Sequence, residues 1–154
     1  MNTNNLTFFE EEEKGLYFHT EGIDFFLEQP EQISAWIEAV IRREEQTSGM
    51  LNFIFCSDDY LHELNVNYLD HDTLTDIITF PFDEDDHISG DIFISIERVQ
   101  ENAENLELSF TEELHRVMIH GILHLCGYGD KSPEEASTMR QKENESLLLL
   151  QEMD

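Results

Sequence analysis

The sequence predicts an α+β fold, a mixed sheet of about four strands packed with about five helices. Three observations carry that expectation. Short runs rich in β-branched and aromatic residues alternate with segments whose apolar residues recur every three or four positions. Two of the runs, Asp76–Phe80 and Gly90–Ile96, are joined by too short a connection for a helical crossover and read as an antiparallel pair. The stretch Val117–Cys126 is apolar on every side apart from two histidines, which marks a central, buried helix. At 154 residues, with no internal repeat and no Gly/Ser/Pro-rich linker, the chain (residues 1–154) is expected to form one domain.

The elements follow in order. Residues 1–14, with the acidic run Glu10–Glu13, form a solvated edge. Leu16–Thr20 is the first strand. Pro30 suits a first helical position, and Ile33, Trp36, Ile37, Val40 and Ile41 then recur at helical spacing, with the end expected near Ser48–Gly49. Leu51–Cys56 is a strand, after which Ser57 caps a helix carrying Leu61, Leu64 and Tyr68. A polar turn from Asn67 to Thr75 precedes the strand Asp76–Phe80, closed by Pro81. The acidic loop DEDDH leads into Gly90–Ile96. A weakly patterned helix covers Glu97–Asn105. Ser109 with Glu112, and Ser132 with Pro133 and Glu135, then mark the starts of two further helices, the last ending in Leu147–Leu150.

The charge is unusual: 35 acidic residues against 8 Lys and Arg give a net −27. Such a surface solubilises the chain and argues against tight, autonomous nucleic-acid binding, which draws on clustered basic side chains. It leaves open an RNA substrate held through a metal or presented by a partner. No apolar run is long enough to span a membrane, and the N-terminus lacks a positive start and an apolar stretch. The expected compartment is the cytoplasm. Cys56 and Cys126 sit in apolar segments and are expected to be reduced.

The chemistry gathers between His115 and Asp130. A helix turns about 100° per residue, so His120 and His124 share one face, one turn apart. Gly127 suits a left-handed cap and Gly129 a second bend, and that reversal can carry the Asp130 carboxylate back over both imidazoles. Two histidines and one carboxylate form a three-ligand metal site of the kind catalytic zinc uses. The alternative is a pair of core histidines satisfied by carbonyls or buried carboxylates.

The segment His120-Gly-Ile-Leu-His124-Leu-Cys-Gly-Tyr-Gly-Asp130 resembles the metal signature HGxLHLxGYDH of the YbeY family of ribosome-associated endoribonucleases. Leu64-Asn65, Tyr68 and Thr75-Asp76-Ile77-Ile78-Thr79-Phe80-Pro81 are similar to the family's LN…Y…TDVLSFP, and Gly90-Asp91-Ile92 to its GDI strand. The resemblance implies one zinc per chain, held by His120, His124 and Asp130. It also implies cleavage of single-stranded RNA by metal-activated water, in 3′-end maturation of small-subunit ribosomal RNA and ribosome quality control. The RNA would be presented on the ribosome.

Two departures matter. The family's third histidine falls at Asp130, with Gly129 where aspartate is usual; an anionic ligand makes bound water less acidic and also suits manganese. Leu69 stands where the family carries a substrate-contacting arginine, with Lys131 as a conceivable substitute. The general base is open between Asp76 and Asp91. A metalloprotease is the enzymatic rival, but Gly121 occupies the place of the HExxH glutamate, so Glu112 or Glu113 would have to stand in. The non-enzymatic rival is an acidic ribosome-associated adaptor with a structural or vestigial metal.

Overall fold

The computed structural model describes residues 14–69, 75–82 and 86–153. The segment 1–13, most of the turn after Leu69 and the first three residues of the acidic loop lie outside the described residues. The strands are β1 (Gly15–Glu21), β2 (Ser48–Cys56), β3 (Ile77–Pro81) and β4 (Ile88–Ser95). The helices are α1 (Pro30–Arg43), α2 (Asp58–Leu69), α3 (Ile96–Leu106), α4 (Phe110–Leu125) and α5 (Pro133–Glu152).

The sheet order is β1-β2-β4-β3, with β2 parallel to both β1 and β4, and β3 antiparallel at the edge. This is the mixed sheet that the sequence predicts, including the antiparallel pair. Helical crossovers give the parallel neighbours, and the short β3–β4 connection gives the reversed one. Leu51–Cys56 of β2 is buried on both faces, so it reads as a continuous apolar run rather than an alternation. One face of the sheet carries the main core. There Phe53, Phe55, Ile92 and Ile94 meet α1, α3, α4 and Met139 of α5. On the other face α2 seats Leu61 against Cys56 and Ile78. The Trp36 indole N–H donates to the Ser146 carbonyl at 2.7 Å, which ties α1 to α5.

Helix α4 is the central element, as its composition predicts. Leu114, Met118, Ile119, Ile122 and Leu123 are buried, and the helix packs on α3, α5, β3 and β4. It meets the sheet at Gly121, where a methyl group would stand 3.0 Å from both Ile77 Cδ1 and Ile92 Cγ2. Both cysteines are free, and burial pushes each thiol up to about 12.

Several boundaries differ from the sequence expectation. Helix α1 stops at Arg43 rather than near Ser48–Gly49. Glu45 takes a left-handed conformation (φ 60°) that reverses the chain, and Ser48 and Gly49 already belong to β2. Glutamate is a good helix former, so its identity gave no stop signal. Helix α2 runs through Leu69, which absorbs Asn67–Leu69 from the expected turn. Strand β4 spans Ile88–Ser95, and Ile96 opens α3. Ser95 ends the strand and caps the helix by accepting from the Arg98 amide at 3.1 Å, which compensates for the weak pattern of α3.

Candidate metal centre

The site is built on one stripe of α4. The helix starts in the expected capping box, with Ser109 and Glu112 each accepting from the other's backbone amide. That role fixes Glu112 at the helix N-terminus. Glu113, Arg116, His120 and His124 then face a cavity of about 420 Å³, together with Asp76, Asp130, Arg140 and Glu143.

The end of α4 sets the second half of the site. Tyr128 N–H donates to the Leu123 carbonyl and Gly127 N–H to the His124 carbonyl, with Gly127 at φ 112°. This is a Schellman motif, and it needs glycine at that position. Gly129, by contrast, is not in the left-handed region; its small size accommodates the Glu135 carboxylate, 3.1 Å from where a Cβ would be. The turn is pinned from both sides. Tyr128 O–H donates to Glu44 Oε1 at 2.6 Å, and Lys142 Nζ lies 3.2 Å from Glu44 Oε2.

The reversal brings Asp130 over the histidines. Asp130 Oδ2 lies 3.3 Å from His120 Nε2 and 3.3 Å from His124 Nε2. One ligand atom from each residue falls within 4.8 Å of the others, so the group could hold a metal ion. Strong N–H···O bonds are about 2.7–3.2 Å, whereas ligands about 2.0–2.1 Å from a tetrahedral ion are about 3.3–3.4 Å apart. The donor set and spacing could hold a divalent cation.

Each imidazole is oriented from behind. His124 Nδ1–H donates to the Tyr128 carbonyl at 2.8 Å, which leaves the Nε2 lone pair aimed into the site. His120 Nδ1–H donates to Glu143 Oε2 at 2.6 Å, and Arg116 donates to Glu143 Oε1 at 3.0 Å. Burial alone would lower the His120 pKa; the hydrogen bond and charge of Glu143, with Asp130 and Asp76, raise it instead. Burial pushes the Glu143 carboxyl up, but hydrogen bonds from His120 and Arg116 hold it below the usual carboxylate range.

The two aspartates left open as bases separate cleanly. Asp76 lines the cavity, and burial raises its pKa. Asp91 follows the opposite pleat from Ile92, whose side chain packs towards α4, so it points to the far face of the sheet. There Asp91 accepts from Asn52 at 3.0 Å, and Asn52 Oδ1 is 3.1 Å from His19 Nε2. Leu69 is partly exposed at the end of α2, and Lys131 is exposed at the surface, its backbone amide donating to Glu135.

Comparison with known proteins identifies the family. The family model described as Endoribonuclease YbeY matches residues 20–151. The chain belongs to the YbeY family. It is 52% identical to the Endoribonuclease YbeY of Flavobacterium johnsoniae over 126 residues, which cover 82% of this chain and 91% of that protein. It is 50% identical to that of Amoebophilus asiaticus over 134 residues, covering 86% and 91% respectively. A solution structure of a Thermotoga maritima protein superposes with a TM-score of 0.59 at 32% identity, covering 84% of this chain and 88% of that one.

The resemblance seen in the sequence singled out His120, His124 and Asp130, but sequence reading missed the residues that surround them. Glu143 sits in the series Met139, Glu143, Ser146, all buried in α5. A carboxylate in that core-facing register was the legible sign of a buried partner. Arg116 precedes His120 by one turn on the same stripe, as Arg140 precedes Glu143 on α5, and neither spacing was read as part of the site. Glu113 was weighed only as a stand-in peptidase base.

Proposed function

We propose that this chain is a single-strand-specific endoribonuclease that uses one divalent ion, zinc foremost and manganese as an alternative, held by His120, His124 and Asp130. Its substrate is ribosomal RNA presented on the ribosome, in the cytoplasm, during 3′-end maturation of the small-subunit RNA and ribosome quality control. The observation that carries this reading is the convergence of two imidazole Nε2 atoms on one Asp130 oxygen, both at 3.3 Å, in a cavity lined by further ionisable groups. The names of the relatives support the RNA substrate.

A bound ion supplies Lewis-acid activation of water and of the phosphoryl group. The protein supplies the rest. Glu143 and the Tyr128 carbonyl fix the two rings with their lone pairs forward. Asp130 adds negative charge, which moderates the acidity of an attacking water relative to a three-histidine site. Asp76, which lines the same cavity as the two histidines, is assigned the proton transfer in this reading. A cavity of about 420 Å³ is on the scale of a small ligand, so RNA enters as an unpaired backbone rather than as a duplex.

Purified protein is expected to carry about one metal ion per chain and to cut single-stranded RNA slowly, and His124→Ala is expected to lose both properties. Glu143→Gln keeps every ligand and is expected to weaken metal affinity by about 10–100-fold. Metal analysis alongside RNA cleavage decides the matter. Equal cutting by wild type and His124→Ala overturns the nuclease reading, and metal binding without cleavage of RNA or ribosomes favours the adaptor.

A further inference from the structure

We propose that Arg116 and Arg140 form a phosphate clamp at the rim of the cavity, gripping the backbone of single-stranded RNA beside His120, His124 and Asp130. This rests on the endoribonuclease reading and says how a chain of net charge −27 holds a polyanion.

The first support is where the cations are. The sequence has 8 Lys and Arg. Arg43, Arg98 and Lys142 are paired elsewhere, with Glu145, Asp58 and Glu44. Among the described residues, the cationic side chains lining the cavity of about 420 Å³ are Arg116 and Arg140. They reach it from different helices, one from α4 and one from α5.

The second support is how little of each guanidinium the protein uses. Both approach the same atom, Glu143 Oε1, Arg116 at 3.0 Å and Arg140 at 3.6 Å. Glu143 gives its other oxygen to His120. One carboxylate therefore faces an imidazole and two guanidinium groups, so neither arginine has a carboxylate oxygen to itself. The Arg116 bond occupies one nitrogen of a five-donor fork suited to two-pronged contact with a phosphodiester. Arg140 is 63% exposed, and a pair so long and so wet contributes close to nothing to stability, so its side chain can turn to a ligand at little cost.

Asp76, Glu113 and Asp130 line the same cavity, so the two guanidinium groups are the lining charges that offset these carboxylates for an incoming phosphate. If the arginines served only to brace α4 against α5, the exposed Arg140 would be dispensable for RNA.

The test uses the full chain and a fluorescein-labelled oligouridine. Binding is followed by anisotropy in EDTA over a salt series, and cleavage kinetics are followed with metal restored. Arg140→Gln is expected to weaken binding about tenfold and to raise KM with kcat nearly unchanged. The slope of log K against log salt should fall by about 0.7 for the lost contact. Arg140→Lys should restore part of the affinity, and metal content should stay at the wild-type level. Arg43→Gln removes the same charge far from the cavity and should change binding less than about twofold. Arg116→Lys keeps a cation against Glu143, with its melting temperature as the folding control, and should weaken binding through loss of the fork. If wild type cuts RNA and Arg140→Gln behaves as Arg43→Gln does, the clamp fails alone. If wild type neither binds nor cuts, the clamp and the nuclease reading fall together.

Discussion

Glu113 is a glutamate with nowhere to go. It is 6% exposed, and its Oε1 has no hydrogen-bond partner among the described residues. Burial raises its pKa, and the nearby charge of Asp76 raises it further. The folded protein therefore binds this proton more tightly than the unfolded chain does. The associated stability is fully present below the unfolded value of about 4.3 and is lost as pH rises through the folded one. Glu113→Gln is expected to raise the melting temperature at pH 7, with the advantage fading towards pH 4. Thermal melts across that range check it, and a gain of equal size at both ends would contradict this account. A site that tolerates such a buried carboxyl gives up stability to keep it there.

At the scale of elements, one glycine lets α4 lie on the sheet and another lets β3 pair closely with β4. At Gly121 a methyl would press on the ends of two isoleucine side chains, Ile77 and Ile92, at 3.0 Å. At Gly90 it would meet the Phe80 carbonyl oxygen at 2.5 Å, a backbone atom of the β3–β4 pair. Side-chain ends can yield and backbone cannot. Gly121→Ala is therefore expected to cost about 1 kcal/mol, overpacking being partly offset by helix propensity. Gly90→Ala should cost more, about 2–3 kcal/mol, read by denaturant unfolding. The same elements show what the sequence could tell. The capping boxes at Ser109 and Ser132, the short β3–β4 connection and Gly127 were legible because each is a local device whose residues are neighbours in the chain. The Glu143–His120 contact was not legible, because it joins α5 to α4 through tertiary packing. The helix stop at Glu44–Glu45 was hidden for another reason: a residue type that favours helix was held out of one by the chain reversal.

Over the whole molecule the dominant quantity is a net charge of −27. Repulsion among exposed carboxylates opposes compaction, and salt screens it over about 10 Å at 0.1 M. Raising sodium chloride from 0.05 to 0.5 M is expected to raise the melting temperature by about 2–4 °C, corresponding to about 1 kcal/mol. A fall in melting temperature would mean that ion pairs such as Arg98–Asp58, at 2.8 Å, outweigh the general repulsion. Sequence gave this surface plainly through composition, but it could not reveal that two of the few cations gather where the histidines do. No helix among the described residues is long and apolar enough to cross a membrane.

The last helix has a consequence that reaches beyond its own packing. Every residue proposed to touch the ion precedes Ser132, yet Glu143 steadies one ring and Lys142 helps hold the loop that steers the other. A polypeptide trimmed before Pro133 would keep all three donors and lose their aim. The proposed grip on a cation thus depends on α5 as well as on the signature segment.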